Sequence, residues 1–297
     1  MIIAIASGKG GTGKTAIATS LALAAKRPLR FLDCDVEAPN AALFLKPKLE
    51  HRKPVGIPIP VIDEELCSYC GRCAAVCEFH AIAIMGNKSL IFPELCHGCG
   101  SCTLICPEHA IRERIDTIGV LEGGSALPEI QFAQGILNIG EPMAVPVIRE
   151  LKKWSFPSPT GQINPIEQTS PASSNGLEIR DAPPGASCPV VETLRGADFA
   201  ILVTEPTPFG YHDLRQVVEI CRDLNIPAGV IINRDGIGEK TVEEFCASEG
   251  LPILMRIPLQ RNLAQALAQG ETIYTADVRF RAPFEQLLTK IRGIGHV

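Results

Sequence analysis

The sequence predicts an α/β protein: a mostly parallel β-sheet with helices on both faces, interrupted by a small α+β insert. Three observations predict this fold. An apolar run at 2–6 is followed by a glycine-rich turn, a helix-compatible stretch at 14–26 and a second apolar run at 29–33, which is how a parallel α/β sheet begins. Eight of the twelve cysteines then fall into two groups. After residue 116, short apolar runs again alternate with helix-compatible stretches.

The part of the chain after the cysteine groups continues the sheet. The predicted strands lie at 177–181, 198–204, 228–233 and 252–257, and the predicted helices at 142–153, 210–224, 238–249, 260–269 and 283–292. Residues 155–176 are rich in Ser, Pro, Thr, Asn and Gly, which predicts a mobile surface loop. The C-terminal stretch is mildly amphipathic but has few bulky apolar residues, so we expect a packed helix and not membrane binding.

The domain organisation follows from a break in the pattern near Pro54. We predict that 1–56 and 116–297 are two parts of one sheet domain and that 57–115 is a separate insert. So short a segment can fold without a large apolar core if bound metal organises it.

The bulk composition restricts the class of protein. The chain has 297 residues and a net charge of −5, so it has no basic excess and we do not expect a nucleic-acid partner. Its apolar runs are shorter than the ~18 residues that span a bilayer, and no export signal is recognisable. We therefore expect a cytoplasmic protein, in which clustered cysteines indicate metal binding and not disulfides.

The glycine-rich turn has the pattern of a phosphate-binding P-loop, placed between a strand and a helix. Its glycines let successive backbone N–H groups face phosphate oxygens, and the helix N-terminus adds positive charge. Lys14 would reach the β- and γ-phosphates, and the Thr15 hydroxyl would bind Mg²⁺. The alternative is a glycine turn with a chance lysine, which the length and position of the match disfavour. The predicted nucleotide-binding residues are Gly8, Lys9, Gly10, Gly11, Thr12, Gly13, Lys14 and Thr15.

The two cysteine groups repeat the spacing found in bacterial ferredoxins, and this predicts two [4Fe-4S] clusters. In that spacing three cysteines bind one cluster and the fourth binds the other. The predicted ligand sets are Cys67, Cys70, Cys73 with Cys106, and Cys96, Cys99, Cys102 with Cys77. Zinc is the alternative, but it would not explain the repeated third and fourth cysteines. Glu78 stands where the usual run has proline, and its charge would lower the potential of the neighbouring cluster.

Lys9 gives the P-loop a second lysine. The run from Lys9 to Thr15 resembles the deviant Walker A signature of the MinD/ParA/Mrp/nitrogenase-iron-protein class of P-loop ATPases. The resemblance implies that Lys9 reaches across a dimer interface to the nucleotide of the other subunit, where a cation assists phosphoryl transfer as an arginine finger does. The partner subunit would be a second copy or a paralogue.

Further motifs agree with this resemblance. Asp33 and Asp35 follow the second strand; the resemblance implies that Asp35 positions the attacking water and that Asp33 lies near Mg²⁺. Asp181 resembles the Walker B-type metal aspartate of switch II. Asn233 matches the position that contacts adenine, although an asparagine at a strand end can also be a simple turn former. The stretch at 203–210 (VTEPTPFG) also resembles this class.

Cys188 lies seven residues after Asp181, an offset that resembles a cluster ligand of the nitrogenase iron protein. That protein needs a second cysteine upstream of switch II, and none stands between Cys106 and Cys188. Cys188 could bind a labile or shared cluster, meet a partner's cluster, or be buried. The remaining cysteines are expected in the core: Cys34, Cys221 and Cys246.

The function implied is that of an ATPase, slow and stimulated by a partner, whose nucleotide-driven dimer switching controls electron transfer or cluster delivery. A redox partner or an apo-protein recipient would complete the system. One alternative is a scaffold or carrier for iron–sulfur cluster assembly of the Mrp type. Another is a spatial regulator like MinD, in which the clusters act as a redox sensor.

Overall fold

A computed structural model describes residues 1–127, 129–156, 176–236, 238 and 240–294. Its strands are β1 (Ile2–Ser7), β2 (Leu29–Asp33), β3 (Lys48–Ile62), β4 (Ile82–Ile84), β5 (Ser89–Ile91), β6 (Ile111–Leu127), β7 (Ile130–Leu137), β8 (Leu177–Pro184), β9 (Phe199–Thr204), β10 (Ala228–Asp235) and β11 (Ile253–Pro258). Its α-helices are α1 (Lys14–Ala24), α2 (Ala41–Leu45), α3 (Arg72–Ala75), α4 (Ser101–Ile105), α5 (Ala144–Lys153), α6 (Cys188–Leu194), α7 (Pro208–Asp223), α8 (Thr241–Ser248), α9 (Arg261–Ala268), α10 (Ile273–Ala276) and α11 (Arg281–Ile294).

Nine of these strands form one sheet in the order β11-β10-β9-β1-β8-β2-β7-β6-β3. Neighbours from β11 to β7 pair in parallel, whereas β6 pairs antiparallel with both β7 and β3. Strands β4 and β5 form a separate hairpin. The prediction of a mostly parallel α/β sheet is confirmed.

Helices cover both faces of the sheet because its central strands are apolar on both sides. In β1, Ile3 and Ile5 enter the core beneath α1 and α11, whereas Ala4 and Ala6 enter the core beneath α6 and α7. Successive side chains of a strand point to opposite faces, so one continuous apolar run serves two cores.

The strands and helices predicted after residue 140 agree with the structure to within a few residues. The short helices α6 and α10 were not predicted. The predicted loop at 155–176 lies, apart from its ends, outside the described residues.

Pro54, near which the sequence pattern changes, lies within the 15-residue strand β3. Prolines usually disfavour a strand because they lack an N–H group. Strand β3 tolerates them because it is the edge of the sheet and needs partners on one side only. It pairs along its length with β6 in a two-stranded ribbon. Both predicted domain boundaries fall inside this ribbon, so the segment between them is joined to the sheet by paired strands.

The ribbon projects beyond the sheet. Residues 119–127 of β6 pair with β7, but 111–117 pair with β3 alone, past Leu137 at the carboxyl end of β7. At ~3.3 Å per residue this overhang is roughly 20 Å long. Since β7 is parallel to β1, β2 and β8, the overhang lies at the carboxyl edge of the sheet. The cysteine groups, which lie between β3 and β6, are therefore on the same edge as the P-loop.

Candidate nucleotide site and cysteine centres

The P-loop connects β1 to α1 and depends on glycine at two positions in particular. Gly13 has φ = 88°, in the left-handed region, and a Cβ atom there would lie 2.4 Å from Asn233 Nδ2. A Cβ atom at Gly8 would lie 2.3 Å from the carbonyl oxygen of Asp213. Asn233 Nδ2 donates a hydrogen bond to the carbonyl oxygen of Thr12 at 2.7 Å. The loop is thus packed against β10 and α7, and Asn233 contacts the loop itself.

Lys14 and Asp181 form a buried ion pair at the start of α1. Their Nζ and Oδ1 atoms are 3.0 Å apart, with the lysine side chain 7% exposed and the aspartate fully buried. Burial alone would lower the pKa of Lys14, but the charge of Asp181 and the hydrogen bond to it raise that pKa above its ordinary value. Asp181 Oδ2 is buried and has no hydrogen-bond partner among the described residues. This free carboxylate oxygen is suited to a cation.

Asp33 lies beside Asp181, because the two residues are register partners on the adjacent strands β2 and β8. Its carboxylate accepts hydrogen bonds from the backbone N–H groups of Asp35 (3.2 Å), Asn40 (2.9 Å) and Ala41 (2.9 Å). Burial, together with the charge of Asp181, raises the pKa of Asp33 to about 7. Two carboxylates so close repel each other unless protons or cations intervene.

Asp35 and Thr15 complete the predicted set. Burial raises the pKa of Asp35, and the charge of Lys14 opposes that shift. Thr15, in the first turn of α1, is buried at 9% exposure. The structure therefore brings the predicted magnesium residues Thr15, Asp33 and Asp181 to the carboxyl edge of three neighbouring strands. A carboxylate-rich site with a buried hydroxyl suits Mg²⁺.

Lys9 is held within its own chain by a residue that the sequence analysis did not assign. Its Nζ atom lies 3.0 Å from Oε2 of Glu205, a side chain only 6% exposed. Arg234 binds the other oxygen of Glu205 at 2.7 Å and donates to the carbonyl oxygen of Gly11 at 3.1 Å. Glu205 belongs to the stretch that resembles the ATPase class, but Arg234 carried no recognisable signal.

The cysteines line two separate hollows. One is lined by Cys67, Cys70, Cys73 and Cys106, and we call it the outer centre. The other is lined by Cys77, Cys96, Cys99 and Cys102, and we call it the inner centre. The structure thus groups the fourth cysteine of each run with the first three of the other, the same partition as in the predicted ligand sets.

Backbone N–H groups point at sulfur in both centres. Cys67 Sγ accepts from the N–H of Tyr69 and Cys96 Sγ from that of Gly98, both at 3.4 Å. Cys77 Sγ accepts from the N–H of Ala81 at 3.3 Å, and Cys106 Sγ from that of Ala110 at 3.4 Å. The donors occupy equivalent positions in the two cysteine groups, since Tyr69 and Gly98, like Ala81 and Ala110, are 29 residues apart in the chain. Such bonds stabilise thiolates over neutral thiols.

No group of three or more His, Cys, Asp or Glu side chains in the described residues is arranged to hold a single metal ion. A single zinc ion needs its ligands to converge on one point. An iron–sulfur cube carries its irons at separate corners, so its four thiolates stand further apart and need no such convergence.

The inner centre shares a core with the body of the sheet. Cys96 and Ile57 belong to the same buried cluster as Leu32, Cys34 and Val36, which lie on or just after β2. Cys73 of the outer centre packs in a smaller, separate cluster with Ile82 and Ile111, and the inner-centre Cys102 packs against its edge. The inner centre therefore lies nearer the nucleotide site, and the outer centre lies towards the tip of the ribbon.

Of the other cysteines, Cys188 is exposed at the start of α6. The remaining three are buried, as expected, and burial raises the pKa of their thiols to about 12, 12 and 11: Cys34, Cys221 and Cys246. Among the described residues, no helix has the length and apolar character that a membrane crossing requires.

Comparison with known proteins agrees with this geometry. The family described as CobQ/CobB/MinD/ParA nucleotide binding domain matches residues 3–273. The uncharacterized proteins MJ0579 and MJ0578 of Methanocaldococcus jannaschii are 29% and 34% identical, over 92% and 80% of this chain and 91% and 79% of their own. The iron-sulfur cluster carrier protein of the same organism is 22% identical over 97% of this chain and 83% of its own.

Among solved structures, the septum site-determining protein MinD of Pyrococcus horikoshii, complexed with Mg-ADP, has the same fold. Its TM-score is 0.55 at 17% identity, and the match covers 99% of this chain and 98% of that one. The family match, together with the P-loop and the paired aspartates, shows that this chain belongs to the CobQ/CobB/MinD/ParA nucleotide-binding family.

Proposed function

We propose that this protein binds and hydrolyses MgATP, holds two [4Fe-4S] clusters at its cysteine centres, and uses the nucleotide to control cluster delivery or electron transfer. One observation carries the proposal: the buried cluster that contains Cys96 of the inner centre also contains Leu32, Cys34 and Val36. These residues flank Asp33 and Asp35 in sequence. A change at the nucleotide site would therefore be transmitted by direct packing.

The nucleotide part of the proposal depends on the buried ion pair. Lys14 would exchange Asp181 for the β- and γ-phosphates, and Asp181 would then be free to help hold Mg²⁺ together with Thr15 and Asp33. Its unpartnered Oδ2 atom supports this role. The Mg²⁺ ion would neutralise charge on the phosphates. Asp35, half-buried beside Lys14, would orient the attacking water.

Lys9 acts, in this proposal, on the nucleotide of the partner subunit. It must first leave Glu205, and Glu205 would remain paired with Arg234 when it does. A buried carboxylate left without any cation would be costly. Arg234 therefore makes the release of Lys9 feasible. The partner subunit would be a second copy of the chain or a paralogue.

The cysteine centres fit iron–sulfur cubes by the chemistry of their donors. Each hollow is lined by four cysteines, and two sulfurs in each accept backbone N–H bonds. Bound cubes would supply one-electron redox chemistry. The chain's part is to hold the thiolates, orient N–H dipoles at sulfur and keep the inner centre packed on the sheet.

Iron analysis of protein purified without oxygen tests the cluster assignment. We expect eight irons per chain in the wild type. Cys67→Ser and Cys106→Ser should weaken the same electron paramagnetic resonance signal, and Cys96→Ser and Cys77→Ser should weaken the other. Cys246→Ala, a buried cysteine outside both centres, should keep all eight irons. Iron-free wild-type protein would overturn the assignment.

Cluster delivery is favoured over electron transfer by one finding, the similarity to an iron-sulfur cluster carrier protein over nearly the whole chain. The two functions differ in whether iron leaves the protein. Incubation with an apo-ferredoxin should transfer iron and sulfide in a nucleotide-dependent way if delivery is the function. Iron that stays bound while electrons pass would assign electron transfer instead. Cys188→Ala would show whether iron beyond eight per chain depends on that exposed thiol.

A further inference from the structure

The two cysteine centres are equivalent in backbone but not in chemistry. A shift of 29 residues relates their cysteines and their N–H donors. It also relates the left-handed residues His80 and His109, with φ of 52° and 51°. The side chains around the hollows do not follow this symmetry. Arg72 of the outer centre is replaced by Ser101 in the inner one, and Ile84 by Glu113.

The charges at the two centres therefore differ. The outer centre is lined by Arg72 and Glu108, whose charges oppose each other. The inner centre is lined by Glu113, and the residue equivalent to Glu108 there is Phe79. Thr103 orients Glu113, since its hydroxyl donates to Oε1 at 2.9 Å. A fixed negative charge disfavours the reduced, more negative state of a cluster.

The aromatic lining of the two hollows differs as well. At the inner centre the rings of Phe79 and His97 stack with their centroids 3.6 Å apart and their planes at 8°. The equivalent positions of the outer centre are Glu108 and Ser68, which form no such stack. Phe79 is 39% exposed and His97 is exposed too, so the pair changes the lining of the inner hollow without closing it to water.

We propose that Glu113 gives the inner centre a lower reduction potential than the outer centre, where Arg72 favours reduction. The proposal rests on the function above, since both centres must hold clusters. One contact acts in the other direction: the hydroxyl of Ser101 lies 3.4 Å from Cys99 Sγ. A neutral hydroxyl at that distance has less effect than the full charge of a carboxylate.

The difference in reduction potential sets the direction of electron transfer between the two centres. An electron supplied by a one-electron reductant of low potential would pass from the inner centre, which is oxidised, to the outer centre, which is reduced by the same electron. No bond or proton is involved. The outer centre, near the exposed tip of the ribbon, would then transfer the electron to an acceptor protein. Nucleotide would act on the inner centre, whose cluster is the harder of the two to reduce.

Reciprocal substitutions test the proposal, because each centre carries the residue that the other lacks. The measurement is a potentiometric titration followed by electron paramagnetic resonance, at about pH 8 so that an ordinary histidine is neutral. Glu113→Ile should raise the lower midpoint, and Arg72→Ser should lower the higher one. We expect each to change the ratio of reduced to oxidised cluster at fixed potential by about threefold to tenfold, where tenfold corresponds to ~59 mV for one electron. Both charges are exposed, so higher salt should shrink the shifts.

Two control variants make the result specific. Glu94→Gln removes an exposed carboxylate that lines neither hollow and should leave both midpoints in place. Glu113→Asp keeps the charge and should retain the wild-type separation. Eight irons with coincident midpoints, or a downward shift in Glu113→Ile, would overturn this proposal and leave the cluster assignment standing. Absence of iron would instead overturn the cluster assignment itself.

Discussion

Asp181 shows how single residues control this molecule. It is fully buried, it pairs with Lys14, and it lies beside a second buried carboxylate, Asp33. The P-loop pattern predicted Lys14, and the resemblance to the ATPase class assigned Asp33 and Asp181 to one magnesium site, but neither predicted the direct pair between Lys14 and Asp181. The sequence could not predict the pair between Lys9 and Glu205, because these residues are 196 positions apart and no motif joins them. Arg234 escaped prediction for the same reason.

The first prediction concerns the buried pair. Lys14→Met leaves the Asp181 charge buried beside Asp33, so we expect a loss of ~3–5 kcal/mol in the free energy of unfolding without nucleotide. The double variant with Asp181→Asn removes the stranded charge and should recover a large part of that loss. Urea denaturation near neutral pH measures both. A single variant as stable as the wild type would contradict the ion pair.

The second prediction separates the two roles of Lys9. Lys9 is partly exposed, and without it Glu205 still forms an ion pair with Arg234. Lys9→Ala should therefore change the unfolding free energy by no more than ~1 kcal/mol. ATP turnover should nevertheless fall by roughly 10³-fold, as for loss of a cation supplied in trans. Lys46→Ala, another exposed lysine in the same half of the chain, should leave turnover unchanged. Unaltered turnover in Lys9→Ala would exclude a role for Lys9 in hydrolysis.

At the scale of elements, the β3–β6 ribbon connects the two chemistries. Sequence patterns predicted the parallel strands well, because their continuous apolar runs are bounded by turns. They failed for β3 because Pro54, Pro58 and Pro60 normally end a strand, and only the sheet order reveals that β3 is an edge. The cysteine spacing predicted the centres but contained no information on how they are attached to the sheet.

The third prediction concerns this ribbon. Ile57 is 6% exposed and packs in the cluster that joins Cys96 to β2. Ile57→Ala should cost ~2–5 kcal/mol and should make the inner centre lose iron faster to a chelator than the outer centre does. Ile115, on the same ribbon but 65% exposed, provides the matched control. Ile115→Ala should affect neither quantity, and equal iron loss in both variants would argue against the packing route.

At the scale of the whole molecule, nucleotide site and cysteine centres lie on one edge of one sheet. Composition and motifs predicted that both are present in a single chain. Their relative position follows from the register of β6 with β7 and β3, which depends on contacts between distant segments. The overhang of the ribbon places the inner centre between the sheet and the outer centre. Among the described residues, the packing that joins the sheet to the cysteine centres runs through the inner centre.

The most direct test of this coupling is a redox titration of oxygen-free protein with and without MgATP. We expect bound MgATP to shift the midpoint of the inner centre, with a change of about fivefold or more in its ratio of reduced to oxidised cluster at fixed potential, and to leave the outer centre nearly unchanged. By reciprocity, reduction of the inner centre should alter ATP affinity by the same factor. Superimposable titration curves, in protein shown by equilibrium dialysis to bind ATP, would contradict the account.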